Sequence, residues 1–339
     1  MSDLIRQAVD RLKAGELVGM PTETVYGLAA DATNPQAVRK IFAAKHRPAD
    51  HPLIVHLHNP CLKTMDLKAC EDAWSDLLSQ WSRDVSPEAL ILATKFWPGP
   101  LTMILPKAKG VLDEVTGGQD TVGLRCPDQP LALDLLRAFG AGLAAPSANR
   151  FGRISPTTAI HVQEEFKDID LLVLDGGPCR VGIESTIVDL TRLPTHGPVI
   201  LRPGIISQHE IEQVLQMKGQ SHFAGGPRVS GSLSAHYAPK TRMIFAHDLD
   251  SLAIKKNANV AWIHFSNSKM PNSLTNSNVT EFEIVTDMST VARQLYALLR
   301  DLDVQNFDLL CFDELPKDVS WEAVRDRLTR AVTGSGINS

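Results

Sequence analysis

Residues 17–31 read Leu17-Val18-Gly19-Met20-Pro21-Thr22-Glu23-Thr24-Val25-Tyr26-Gly27-Leu28-Ala29-Ala30-Asp31, and this stretch decides how the rest of the chain is read. Leu17 to Met20 is a short apolar run ended by Pro21, the pattern of a buried strand. Thr22 stands where an N-cap would stand for a helix beginning at Glu23. A capped helix start leaves backbone N–H groups unpaired at the positive end of the dipole, which together make an anion site. Further on come Lys45-His46-Arg47-Pro48 and the run Pro52-Leu53-Ile54-Val55-His56-Leu57-His58. Lys45 and Arg47 add two full positive charges. The expectation is a strand, a turn and a helix start built to hold an anion, with phosphate the first candidate.

Working outward, strands and helices alternate to about residue 218. Leu4, Ile5, Ala8, Val9 and Leu12 recur at helical spacing behind Ser2, an amphipathic helix and not a signal peptide. Asn34-Pro35 opens a helix running to Ala44, and 52–58 is a strand. Strands are expected over 101–106, 121–126, 142–145, 171–174, 186–190 and 199–202. Helices are expected over 130–139, stopped at Gly140, after Ser155-Pro156, and from the capping box Ser207 to Glu210. Residues 59–86, with Trp74, Trp81 and scattered charges, read as a surface insertion. Residues 219–240 are rich in Gly, Ser and Pro without periodicity, a linker. Beyond it, strands over 243–246, 260–265, 282–285 and 309–312 and helices over 289–302 and 321–332 make a smaller domain. The division expected is an α/β domain over 1–218, a linker over 219–240 and a C-terminal α/β domain over 241–339.

Composition narrows the function classes. The 339 residues are 43% hydrophobic and 22% charged, enough for two domains. A formal net charge of −5 argues against nucleic-acid binding by bulk electrostatics, though not against a local basic cleft. The 5 cysteines are odd in number and lack Cys-x-x-Cys spacing, so a reduced, cytosolic protein without a disulfide framework or thiolate zinc site is expected. No apolar run reaches membrane-spanning length.

The phosphate reading does not come from a standard nucleotide motif. No Gly-x-x-x-x-Gly-Lys-Ser/Thr occurs. Gly140-Ala141-Gly142-Leu143-Ala144-Ala145 imitates a dinucleotide fingerprint, but the strand follows the glycines and Pro146 blocks the helix that should begin there. His51, His56 and His58 lack further ligands at zinc spacing, so no metal-ligating side chain is assigned, and His56 is read as a neutral polar contact. Ser147 and Ser185 lack the Gly-x-Ser-x-Gly elbow, so no covalent nucleophile is expected, and both hydroxyls read as ligand contacts. Lys45, Arg47, Arg125 and Arg202 each end a strand or helix beside a polar motif. Four cations on one cleft suit a triphosphate, whose transfer needs positioning and charge stabilisation more than a covalent catalyst.

The motifs PTETVYGLAADA (21–32), AKHRP (44–48), PLIVH (52–56), KFWPGPLTMIL (95–105), TVGLRCP (121–127), APSANRFGRISPT (145–157), DGG (175–177) followed by GIESTIVDL (182–190), and VILRPG (199–204) occur in the order of the YrdC-like domain. With His236-Tyr237-Ala238-Pro239 at the end of the linker, the chain resembles the long, two-domain threonylcarbamoyl-AMP synthases. The resemblance is strong over 1–240 and looser over 241–339. It implies a YrdC-like twisted mixed sheet with helices around a basic cleft, plus a smaller Rossmann-like C-terminal domain. It implies synthesis of threonylcarbamoyl-AMP and pyrophosphate from L-threonine, bicarbonate and ATP with Mg2+, for the threonylcarbamoyladenosine modification of tRNA beside the anticodon. Carried over motif by motif, Lys45, Arg47, His51, Thr121, Ser147, Asn149, Ser155 and Arg202 hold ATP, and Tyr237 folds over the nucleotide as a lid. Thr22, His56, Arg125, the backbone at Ala145, and Ser185 hold threonine. The expected partners are small-molecule substrates and, functionally, a tRNA threonylcarbamoyl transferase complex. Direct tRNA contact is expected to be weak, with no membrane association and a cytoplasmic location. Two alternatives stay open: a module gripping double-stranded RNA, which leaves the threonine-pocket residues unexplained, and a carbamoyltransferase for another acceptor, whose relatives carry additional domains that this chain lacks.

Overall fold

Alternation along Leu101-Thr102-Met103-Ile104-Leu105-Pro106 sets the centre of a ten-stranded sheet. The structure, a computed structural model, describes residues 2–221 and 225–336. The chain divides into two compact units, Met1–Arg150 with Pro156–Arg180 and Glu184–Ser232, and Phe151–Ser155 with Val181–Ile183 and Leu233–Ser339.

The first unit holds β1 (Val18–Met20), β2 (Gly27–Asp31), β3 (Ile54–His56), β4 (Leu101–Pro106), β5 (Thr121–Arg125), β6 (Leu143–Ala144), β7 (Leu172–Val173), β8 (Thr186–Asp189), β9 (Val199–Arg202) and β10 (Gln220–Ser221). Their order in the sheet is β10-β9-β8-β4-β5-β3-β6-β2-β1-β7. The sheet is mixed: β3 runs parallel to β5, and β4 to β8, while β4 and β5, β8 and β9, and β2 and β6 are antiparallel. Because side chains alternate across a strand, Val55, Met103, Leu105, Val122, Leu124 and Val188 enter one large apolar core. Thr121, Gly123 and Arg125 face the other way, with Ile54 and His56 beside them on β3. Under β1, β2 and β6 that second face is covered by the helices Asp3–Lys13 and Pro130–Phe139. Under β3, β5, β4 and β8 it carries Ile54, Ile104 and Ile187, packed with Val229, beside the buried polar side chains of His56, Thr102 and Arg125.

The second unit carries β11 (Met243–Phe245), β12 (Asn259–Phe265), β13 (Asn278–Ile284) and β14 (Leu309–Phe312) in the order β11-β14-β12-β13, every pair parallel. Parallel strands of one sheet need crossover connections. The helix Met288–Asp303 supplies one, burying Val291, Leu295, Tyr296, Leu299 and Leu302. Among the described residues no helix is long and apolar enough to cross a membrane.

Three expectations fail here, each for a local reason. No helix begins at Glu23. Thr24 N and Val25 N both donate to Thr22 Oγ1 at 3.2 Å, so the threonine closes a tight turn and uses the amides an anion would have needed. Val25 and Tyr26 then lead into β2, which pairs antiparallel with β1. Residues 59–86 are not a surface insertion. They contain the helix Leu67–Ser79, capped by Asp66, whose Trp74, Leu77 and Leu78 join the main core with Trp81. Cys61 and Cys70, whose Cα atoms are 5.1 Å apart, form a disulfide across that helix start, so the expectation of a chain without disulfides is corrected. The helix Pro87–Phe96 was also not foreseen. Within the linker, 222–224 lie outside the described residues. Val229 is buried against Ile104 and Ile187, and Arg228 donates to the Gly117 carbonyl at 3.0 Å.

Candidate active site

A row of buried polar side chains crosses the second face of the first sheet. Arg202 pairs with Ile187 from β9 to β8, Ile187 with Thr102 on β4, and Arg125 on β5 pairs with His56 on β3. Thr102 precedes Met103, the partner of Leu124, and so falls beside Arg125. Ser185 enters the row from just before β8: its Oγ lies 2.7 Å from Thr102 Oγ1. Arg202 Nε and Nη2 donate to the Ser185 carbonyl at 3.1 and 2.9 Å, Nη2 also to Ser185 Oγ at 3.0 Å, and Nη1 to the Ser230 carbonyl at 2.9 Å. His56 lies with Nδ1 3.3 Å from the Ile54 carbonyl. Burial, and then the neighbouring Arg125 charge, push its pKa down to about 3. The imidazole is therefore neutral at physiological pH. Arg202, Ser185, Arg125 and His56 were expected from sequence, and the fold brings them into one line.

A second group forms where the loop 145–149 passes the start of β2. Ala145 N donates to the Ile54 carbonyl at 3.0 Å, Leu28 N to Pro146 at 2.8 Å, and Ala148 N to Tyr26 at 2.8 Å. Gly27 permits this approach, since a Cβ there would meet the Ala145 Cβ at 3.1 Å. The helix Pro35–Lys45, capped by Asn34, ends by aiming Lys45 at the same loop. Lys45 Nζ donates to the Ser147 carbonyl at 2.5 Å and to the Asn149 carbonyl. Burial first, then the positive charges of Arg47 and Arg150, hold its pKa well below that of an ordinary lysine. Arg47 Nη2 donates to the Pro52 carbonyl at 3.1 Å. His51 stands within reach of the Arg47 charge and, mainly through burial, has a lowered pKa. Lys45 thus meets Ser147 and Asn149 at one loop, and the charge of Arg47 reaches both Lys45 and His51.

The remaining expected residues are spread more widely. Thr22 is buried in its own turn. Thr121 begins β5, opposite Pro106, roughly 13 Å along the strand from Arg125 at about 3.3 Å per residue. Ser155 and Tyr237 belong to the second unit. There Ser155 is fully buried, and Tyr237 stacks on Tyr296 at 5.5 Å with the Arg327 guanidinium 5.6 Å from its ring. Sequence reading missed two residues. Thr102 holds Ser185, and Glu23, only 2% exposed, places Oε1 2.7 Å from Nη2 of the buried Arg125. The available signal for Glu23 was a carboxylate lodged between apolar runs. Its assignment to a helix start turned it, wrongly, toward an exposed first turn.

Comparison with known proteins gives a consistent pattern. A family model named Sua5_yciO_yrdC and described as "Telomere recombination" matches residues 10–204, and one described as "Threonylcarbamoyl-AMP synthase, C-terminal domain" matches residues 206–333. The threonylcarbamoyl-AMP synthase of Pyrococcus abyssi is 36% identical over 337 residues, covering 96% of this chain and 93% of its own length. That of Bacillus subtilis is 35% identical over 348 residues, covering 98% and 94%. The crystal structure of P. abyssi Sua5 complexed with L-threonine matches the fold with a TM-score of 0.80 at 33% identity, over 97% of this chain and 94% of that one.

Proposed function

The chain belongs to the Sua5/YciO/YrdC family in its two-domain form, and we infer that it makes L-threonylcarbamoyl-AMP from L-threonine, bicarbonate and ATP, releasing pyrophosphate. The observation that carries this reading is the row Arg202, Ser185, Thr102, Arg125 and His56 on one face of the sheet, together with Lys45 held to the 147–149 loop. It offers guanidinium groups and hydroxyls for a small polar substrate beside a cationic loop for phosphates.

The chemistry asks the protein for position and charge. The threonine amine and bicarbonate combine to a carbamate with loss of water. A carbamate oxygen then attacks the α-phosphorus of ATP as the bond to pyrophosphate breaks. Lys45, Arg47 and Arg202 stabilise charge on the triphosphate, with Ser147, Asn149, Thr121 and His51 as further nucleotide contacts. Ser155 and Tyr237 are assigned to the nucleotide on the family resemblance. Arg125 takes the threonine carboxylate, and Thr22, neutral His56, the Ala145 backbone and Ser185 take its polar groups. Ser185 Oγ sits between Thr102 and an Arg202 N–H, partners that hold a hydroxyl and take no proton from it. It is a binding group and not a nucleophile. Magnesium is assigned as the counter-ion that ATP brings, since a cationic donor set repels a bare divalent ion and accepts one already on the triphosphate. We place the activity in the cytoplasm, upstream of a transferase complex that moves the threonylcarbamoyl group to tRNA. Weak direct tRNA contact is consistent with a net charge of −5.

The test is pyrophosphate release from ATP and bicarbonate with and without threonine. Release that depends on threonine, with threonylcarbamoyl-AMP as the product, is expected. Release indifferent to threonine would overturn the assignment.

A further inference from the structure

We propose that Glu23 receives the amine of the amino-acid substrate and so sets a requirement for an α-amino acid, a proposal that rests on the reading of Arg125 as the carboxylate contact. Glu23 and Arg125 are 2% and 4% exposed, and their nearest charged atoms are 2.7 Å apart. A carboxylate kept only to neutralise a buried guanidinium ordinarily takes two parallel N–H···O bonds. This pair does not. Nη2 meets Oε1 as an ion pair without hydrogen-bond geometry, and among the described residues neither Glu23 oxygen accepts a hydrogen bond and neither Arg125 Nε nor Nη2 donates one, although all four atoms are buried. Buried polar atoms in native proteins are almost always hydrogen-bonded, so four atoms left short of hydrogen bonds at one ion pair mark a place that a ligand completes.

The shape of the deficit identifies the ligand. Two acceptor oxygens need donors and two guanidinium nitrogens need an acceptor. An α-amino acid zwitterion supplies both within one small molecule, with its ammonium toward Glu23 and its carboxylate toward Arg125. The site as a whole then stays neutral, which lowers the cost of burying four charges. The neighbours fit this division. His56 is neutral and adds no competing charge beside Arg125. The thiols of Cys126 and Cys179, which feel the Glu23 charge along with Arg180, are pushed up by burial and stay protonated. Glu23 therefore fixes the nitrogen that becomes the carbamate, in register with the carboxylate held by Arg125.

The experiment compares L-threonine with its des-amino analogue, (2S,3R)-2,3-dihydroxybutyrate, by calorimetric titration of the full chain and of Glu23→Gln and Glu23→Asp. The unsubstituted protein should prefer threonine by about tenfold or more, as expected for a charge-assisted contact. Glu23→Gln should bring the ratio to within about twofold, and Glu23→Asp should keep most of it. A purely structural Glu23 would weaken both ligands equally and leave the ratio unchanged, which would overturn the proposal. Should Glu23→Gln fail to fold, the unsubstituted protein decides alone. Its threonine affinity should fall once the pH passes the pKa of the free amine while the des-amino affinity does not, and parallel behaviour of the two would overturn the proposal. If threonine does not bind the unsubstituted protein at all, the functional reading falls and this proposal with it, whereas a preference that survives Glu23→Gln removes Glu23 alone.

Discussion

Arg202 and Ser185 are joined by three hydrogen bonds, from Nε and Nη2 to the Ser185 carbonyl at 3.1 and 2.9 Å and from Nη2 to the hydroxyl at 3.0 Å. A residue assigned to the nucleotide therefore positions a residue assigned to threonine. The two substrates share a support, and a change in one subsite should be felt in the other.

Arg202→Ala should raise the KM for ATP and the KM for threonine together. It removes a cation and also leaves the buried Ser185 carbonyl without its donors, a loss of about 1–3 kcal/mol. Each KM is expected to rise by roughly tenfold or more. Ser185→Ala should act mainly on threonine, because Arg202 keeps its bonds to the Ser185 and Ser230 carbonyls. Steady-state kinetics varying one substrate at a time separates the two patterns. An Arg202→Ala enzyme with normal threonine kinetics would remove the proposed coupling.

Lys45→Met should spare the packing volume and weaken ATP. The ammonium group crosslinks the 147 and 149 carbonyls, so its loss strands two buried acceptors at about 1–3 kcal/mol each. Thermal melting should drop and nucleotide affinity should fall by tenfold or more, while threonine affinity changes little. Unaltered ATP affinity in this variant would rule out the loop as the phosphate site.

Threonine should be preferred strongly over valine and only modestly over serine. Valine lacks the hydroxyl and strands buried partners around Thr22, His56 and Ser185, whereas serine merely leaves a methyl-sized space. Equal pyrophosphate release with valine would show that these residues do not form the amino-acid pocket.

His56 gives the stability a defined pH dependence. Its folded pKa is lowered to about 3 from an ordinary 6.5. A histidine that is neutral when folded protonates more readily when unfolded, so its contribution is complete above the unfolded pKa and is lost as pH falls from 6.5 toward 3. The slope approaches about 1.4 kcal/mol per pH unit in that window. Denaturant unfolding between pH 7 and 4 should show it, and His56→Gln should flatten it. A slope unchanged in His56→Gln would assign the dependence to other groups.

Most strands were legible because they are short apolar runs that end at Pro, Gly or a charge; 101–106 and 199–202 are observed as read. The expected cations Lys45, Arg125 and Arg202 were legible because each ends an element. What was not legible depends on tertiary contact. Thr22 has the residue type of an N-cap, but only the pairing of β1 with β2 determines that it closes a turn instead. Trp74 and Trp81 looked like surface aromatics among charges, since the core that receives them is built largely from residues distant in sequence. The Cys61–Cys70 link was hidden in an odd count of cysteines. Glu23 was invisible as a partner of Arg125 because nothing in the sequence brings those two positions together.

Tyr237 separates two roles for the linker's aromatic cluster. It lies in the second unit with φ 61°, a left-handed conformation uncommon for a bulky residue, and is 1% exposed against Tyr296 and Arg327. The ring therefore contributes to packing whatever it does toward nucleotide. Tyr237→Ala should destabilise that unit by about 3–5 kcal/mol, the usual range for losing a buried aromatic ring. Tyr237→Gly should be less damaging by roughly 1 kcal/mol, since glycine adopts this backbone freely and alanine does not. If the ring serves packing only, Tyr237→Phe and, at temperatures where they remain folded, the Ala and Gly variants should keep the ATP affinity of the parent chain. If it also shields the labile product, both small variants should yield less threonylcarbamoyl-AMP per pyrophosphate released, because water reaches the mixed anhydride before it is captured. The ratio of product to pyrophosphate is the deciding measurement. It is insensitive to the fraction of enzyme unfolded, and a ratio equal to that of the parent chain in both variants would remove the lid role.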